Sequence, residues 1–227
     1  MKKVLFSGLV VLAFSGCVEK YSIDSESPIV DGVSESVDEK EVVDSGIVFL
    51  NDHFLSESAR KQIGIVTKYD SDYYQGGYPP KDRGACTDVI ERALRENGYD
   101  LKAKIDKDMM ENPGRYSESS DPNIHFRRVK NVKIFFDYHA EKLPICVRDE
   151  CFKKRDWKPG DIVTFDQIPG SLWHIAIVSN KMKKRGDDDL VLVPFLIHNY
   201  GSGVVEDDML LSWPSEITGH YRIHEAS

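Results

Sequence analysis

Apolar residues change their spacing once along this chain, and they do so in a fixed order: helical spacing first, strand-like runs afterwards. His53–Ile63 sets Phe54, Leu55, Ala59 and Ile63 on one side and is ended by Gly64. Cys86–Asn97 is stopped by Gly98, Leu101–Glu111 ends before Pro113, and Val129–Glu141 brings Val132, Phe135, Phe136 and His139 together. Between the first two lies Tyr69–Lys81, a loop broken by Gly76-Gly77 and Pro79-Pro80. After residue 160 the runs become short, β-branched and bounded by turn residues: Asp161–Phe165, Trp173–Val178, Leu190–Ile197 and His220–Ile223. Helices first and strands later predict an α+β domain, with N-terminal helices packed on a mostly antiparallel β-sheet.

The first fifty residues stand outside that pattern. Lys2 and Lys3 precede a mostly apolar run, Val4–Phe14, closed by Ser15-Gly16-Cys17. The run is too short to span a bilayer and reads as a secretory signal peptide. The small residues before Cys17 resemble the lipobox of bacterial lipoproteins, in which cleavage precedes the cysteine and the cysteine takes the lipid. Phe14 stands where a leucine is usual, and a soluble secreted protein with Cys17 unmodified is the alternative. Residues 18–50 hold nine acids and two bases, a net −7; with +2 from Lys2 and Lys3, the formal net −8 leaves only −3 for 51–227. Rich in Ser, Asp, Glu and Val, that stretch cannot bury enough surface to offset its ordering entropy. The expected organisation is a signal peptide over 1–16, an acidic tether over 17–50 and one domain over 51–227. A lipid on Cys17 makes a membrane the expected partner. The absence of Asp after it favours, by analogy with sorting in Gram-negative bacteria, the outer membrane. With no basic stripe in the chain, nucleic acid is not an expected partner.

Three cysteines remain. Cys146 and Cys151 lie in a short polar stretch where an oxidising compartment permits a disulfide. The alternative is two free thiols; with no second pair to complete a tetrahedral site, no metal is expected, and nothing implies a cofactor. Cys86 is left over. It opens its helix, and Val89, Ile90, Ala93 and Leu94 share its face, so it points toward the packed side. A helix N-terminus favours thiolate and lowers a thiol pKa, whereas the plain reading is a buried cysteine on an apolar stripe. His174 shares a strand face with Ala176 and Val178, and His198 shares one with Leu196. Pairing 174 with 198 centres a hairpin on Gly186, inside the charged segment Lys181–Asp189. The two imidazoles then lie opposite each other on one face, about 5 Å apart at Cβ, and a slip of one residue separates them. Cys86 as nucleophile, His174 as base and His198 as its orienter fit the logic of nucleophilic catalysis, with the Cys86 N–H facing a developing oxyanion.

The order of a cysteine at a helix start, Pro159-Gly-Asp-Ile-Val-Thr-Phe165, His174-Ile-Ala-Ile-Val178 and Ile197-His198 resembles the NlpC-type cell-wall cysteine peptidases. That resemblance implies a papain-like core, a Cys86–His174–His198 triad, and hydrolysis of an amide in peptidoglycan stem peptides or a related envelope substrate. A closer resemblance is to the exported bacterial family known as domain of unknown function 1287. It is carried by Asp82-Arg-Gly-Ala-Cys-Thr-Asp-Val89, Asp121-Pro-Asn-Ile124, Arg127-Arg128-Val129, His174-Ile-Ala-Ile-Val-Ser179, Ile197-His-Asn-Tyr-Gly201 and Ile217-Thr-Gly-His-Tyr221. The chain departs from the NlpC pattern at Ala85, where an Asp that holds a peptide amine is usual, and at Thr87-Asp88, where Ser-Gly is common. It departs from the closer family at His125-Phe126. Tyr69 and Tyr78 flank the loop before Cys86 and either line a groove or pack as ordinary tyrosines. Asp88 either complements the helix dipole or contacts substrate. Arg127 and Arg128 either bind a substrate carboxylate or form structural ion pairs. Asn199 is placed on the face away from His198, Asp161 at a turn and Trp173 in the core. The same triad also suits an acyltransferase, a thioesterase or a lipid-ester hydrolase. A non-catalytic envelope-binding lipoprotein is the reading outside enzymology.

Overall fold

The computed structural model describes residues 41–43, 47–49, 54–116, 121–147, 151–152, 156–166, 173–185 and 191–224. The signal peptide, the lipidation candidate Cys17 and the tether up to residue 40 lie outside them. All the described residues fall in one compact unit, Val37–Ser227.

Among the described residues four α-helices form near where the apolar spacing places them: α1 (Phe54–Arg60), α2 (Cys86–Glu96), α3 (Leu101–Glu111) and α4 (Val129–His139); of the side expected for α1, Leu55 and Ala59 are buried while Phe54 and Ile63, the latter beyond the helix end, are exposed. Local chemistry sets their ends. Asp100 caps α3 by accepting the Ala103 amide at 2.9 Å. Gly98, at φ 78°, takes the left-handed turn that closes the segment after α2.

Among the described residues there are ten strands, numbered in chain order: β1 (Glu41–Val43), β2 (Ile47–Phe49), β3 (Lys68–Tyr69), β4 (Arg83–Gly84), β5 (Glu141–Lys142), β6 (Ile162–Phe165), β7 (His174–Arg185), β8 (Val191–Asn199), β9 (Val204–Asp207) and β10 (Ile217–Arg222). Eight of them make one sheet in which every ladder is antiparallel, running β1-β2-β7-β6-β10-β5 with β8 and β9 added beside β7. β3 and β4 form a separate two-residue parallel pair. The α+β class with a mostly antiparallel sheet is therefore the observed one.

Two boundaries differ from the sequence expectation. β1 and β2 fall within the stretch read as tether, and β2 pairs with the far half of β7 from Ile47↔Lys183 to Phe49↔Lys181. β7 is twice the expected length because it runs on through Lys181–Arg185, charged residues that read as the start of a turn.

The hairpin register is also shifted. β7 and β8 pair Ile177 with Ile197 and Val178 with Leu196, then step after an irregularity before Met182↔Pro194. That register sets Ala176, not His174, opposite His198. The offset is two residues, so parity survives: both imidazoles stay on one face and become diagonal rather than direct neighbours.

Each face of the sheet carries its own core. Ile162, Ile175, Ile177 and Ile197 pack with Val89 and Ile90 of α2 and Phe136 of α4 on one side. Val163, Phe165, Ala176, Val178 and Leu196 pack with Trp157, Leu210 and Trp213 on the other. Cys146 and Cys151 are disulfide-bonded, with Cα atoms 5.8 Å apart, and the adjacent Val147 and Phe152 pack against the second core.

One carboxyl in α2 is costly. The Glu91 side chain is 2% exposed, and its Oε1 lies 3.2 Å from Arg95 Nε without hydrogen-bond geometry. Burial pushes its pKa up to about 7, only partly offset by Arg95. A raised folded-state pKa gives stability that is full below the unfolded value near 4.5 and falls as pH rises through 7. Glu91→Gln should therefore unfold at higher urea than the parent at pH 8, by about 2–3 kcal/mol, and show no gain at pH 4.

Candidate active site

Cys86 is the first residue of α2, and the approach to it is tied down from three directions. The Ala85 amide donates to Asp88 Oδ2 at 2.6 Å, closing the first turn. Asp88 in turn accepts from Arg127 Nε and Nη2, both at 2.9 Å. Arg127 also donates to the carbonyls of Asp72 at 2.6 Å and Asp70 at 3.2 Å, joining the loop after β3 to the same point. Asn199 on β8 donates through Nδ2 to the Gly84 carbonyl at 2.8 Å, holding β4 to the sheet. Asn199 thus faces the helix side of β8, while His198 faces the other.

The sulfur is buried among donors. Backbone amides of Ile175, Thr87 and Cys86 itself face it, as does the Tyr69 hydroxyl. Burial, then the nearby Cys86 and Asp88, holds the Tyr69 phenol protonated, so it acts as a donor there. The sequence expectation of a lowered thiol pKa does not hold: burial pushes Cys86 up to about 12 and outweighs all three amides. A helix terminus favours a charge only where desolvation does not cost more.

The histidines meet on the opposite face of β7. His174 Nε2 lies 2.9 Å from His198 Nδ1, and His198 Nε2 lies 2.9 Å from Asp207 Oδ1 on β9. Trp213 stacks on His174 at 4.2 Å and 9°, and Tyr200 meets it edge-on at 5.7 Å. Burial first, and His198 second, holds the His174 pKa well below 6.5, so the ring is neutral. Among the described residues, no hydrogen bond joins the Cys86 thiol to either imidazole. The Ile175 amide that faces the sulfur belongs to the residue after His174.

The resting pair is therefore a neutral thiol beside a strand that carries a neutral imidazole. Iodoacetamide should label Cys86 slowly at pH 6, with a rate climbing about tenfold per pH unit toward pH 9 as thiolate forms. A rate plateau between pH 5 and 7 would instead reveal a thiolate–imidazolium pair and overturn this electrostatic picture.

A cleft of about 390 Å³ opens over Cys86. Tyr69 and Ala85 line it with the cysteine, and Arg128, Lys130 and Trp173 also border it. Lys130 Nζ sits 5.6 Å from the Trp173 ring.

The family model described as Domain of unknown function (DUF1287) matches residues 56–223. The chain belongs to this family. A relative from Escherichia coli (strain K12), Uncharacterized protein YijF, is 35% identical over 177 residues, covering 74% of this chain and 80% of that protein.

Within this DUF1287 domain the expected site residues separate. His174 and His198 come together, Cys86 and Tyr69 share the cleft, and Arg128 reaches its border. Arg128 is exposed and makes no ion pair among the described residues. Tyr78 lies outside the cleft lining, 5.6 Å from the Phe126 ring and with Arg95 4.7 Å above it. Asp88 and Arg127 are bound to each other, and Arg127 also lines the cleft. Trp173, expected in the core, is half-buried: it packs against the first core and also borders the cleft. His125 pairs with Asp106. Asp207 and Trp213 were missed from sequence. A hairpin count onward from His198 reaches Asp207 only once Gly201 and Gly203 are known to turn the chain there. Among the described residues, no group of three or more His, Cys, Asp or Glu is placed to hold a metal ion.

Proposed function

We propose that this domain is a cell-envelope cysteine hydrolase of the NlpC-type, papain-like plan, cleaving an amide bond in peptidoglycan. The observation that carries the reading is the cysteine at a helix start in a cleft, with its sulfur at the backbone amide next to the first histidine of a His–His–Asp line. In this reaction the Cys86 sulfur attacks the carbonyl carbon while its proton passes to His174. The C=O electrons move to oxygen, where the Cys86 amide and the Tyr69 hydroxyl can donate to the oxyanion. Collapse breaks the C–N bond, and His174 delivers the proton to the leaving amine; water then releases the acyl group. Cys86 and His174 stand on opposite faces of β7, so the transfer requires His174, the first residue of that strand, to turn past the strand end toward the sulfur once substrate is bound. Arg128 at the border gives the cleft positive charge suited to the carboxylates of stem peptides. A lipid on Cys17 would hold the domain at the envelope, within tether's reach of the wall.

The test is digestion of purified muropeptides, read by mass spectrometry. A chain beginning at Val37 keeps β1 and β2 and is the suitable form. The expected product pair is a new amine and a new carboxylate, together heavier than the substrate by one water. The buried neutral thiol favours one other reading, an envelope-binding module that does no chemistry. That reading gains if muropeptides bind and emerge uncut.

A further inference from the structure

We infer that Asp207 is a positioning residue which, through His198, fixes Nδ1 of His174 as the basic nitrogen. This rests on the reading of His174 as the base for Cys86.

A carboxylate can only accept, so the hydrogen between Asp207 and His198 belongs to His198 Nε2. A neutral imidazole carries one N–H, which leaves His198 Nδ1 as a bare lone pair. That lone pair faces His174 Nε2 at 2.9 Å and needs a hydrogen from it. His174 then has its single N–H on Nε2, and the free pair on Nδ1 is the one able to take a proton from a thiol. The three groups sit on β7, β8 and β9, each reaching the next diagonally. His198 faces Val205, and Asp207 lies two residues along on the same face. When Nδ1 takes the thiol proton, the ring becomes imidazolium. Its Nε2–H still donates to His198, and the Asp207 carboxylate ends the line with a negative charge.

Without the carboxylate the line is free to reverse. His198 can carry its hydrogen on Nδ1, which forces His174 Nε2 to accept and moves the His174 hydrogen onto Nδ1. The base is then blocked by its own proton. Asp207 is 42% exposed, so replacing it leaves both cores intact.

The experiment is long-range ¹H–¹⁵N spectroscopy of the full chain carrying ¹⁵N-histidine, at mildly alkaline pH. His174→Gln and His198→Gln assign the two rings. The expected spectrum shows both rings as Nε2–H tautomers. In Asp207→Ala both should shift toward Nδ1–H, while Asp207→Glu keeps the parent pattern. On muropeptides, kcat of Asp207→Ala should fall roughly 10- to 100-fold with KM unchanged, less than loss of the base itself. An Nδ1–H signal from either ring of the parent protein overturns the inference, as does Asp207→Ala with both tautomers unmoved. The spectra decide this even if muropeptides prove not to be substrates, so the two proposals fail separately.

Discussion

Cys86→Ala should abolish muropeptide cleavage, a loss on the order of 10⁴-fold or more in kcat/KM, while leaving the fold intact. Activity is expected to vanish because Cys86 supplies the nucleophile of the proposed reaction, and Tyr69 beside it is held protonated by burial and by its neighbours. The fold is expected to survive because alanine keeps the Cβ and removes one sulfur from a core that already contains Val89, Ile90 and Ala93. The cost of that deletion is about 1 kcal/mol. His174→Gln should lose nearly as much activity, and the double variant no more than either single one, since groups acting as one unit are not additive. Urea unfolding of each variant separates lost chemistry from lost structure. Residual cleavage by Cys86→Ala at the parent rate would remove the nucleophile from the proposal.

How much of this was legible beforehand depends on whether a local pattern carried the information. The helices were, because α2, α3 and α4 each bury one stripe and end at a glycine, before a proline or at a change of spacing. The shared face of His174 and His198 was legible for a similar reason: parity in a hairpin depends only on even spacing, and Ala176, Val178 and Leu196 mark the buried side. The pairing itself was not, because the ladder nearest the turn pairs Arg185 with Val191, an index sum four above the counted one, and the irregularity between Val178 and Met182 takes back only two of those four. The lysines of β7 read as turn because charge is the usual mark of one. Here they continue a strand whose partners are β2 and β8. The thiol pKa was misjudged because the helix terminus is visible in sequence and the depth of burial is not. Asp207 and Trp213 were missed because their contacts with the histidines arise only when β9 and the following loop fold back over the second core.

The largest stability effect is expected from Asp88→Ala, about 3–5 kcal/mol at neutral pH. Asp88 and Arg127 are 2% and 5% exposed in their side chains and meet through two parallel hydrogen bonds. Removing the carboxylate strands a buried guanidinium on two carbonyl oxygens, those of Asp70 and Asp72, and deprives the Ala85 amide of its acceptor. Both losses fall at the turn that presents Cys86, so the cleft should loosen as the helix start frays. The pair is not for that reason a net stabiliser over apolar packing. Taking two charges out of water offsets much of their attraction, so Asp88→Leu combined with Arg127→Met should recover most of what either single change loses. Urea titration of the two singles and the double yields the coupling directly. If Asp88→Ala cost less than about 1 kcal/mol, the ion pair would be a surface-like contact, and the argument that these two residues build the site rather than bind its ligand would fail.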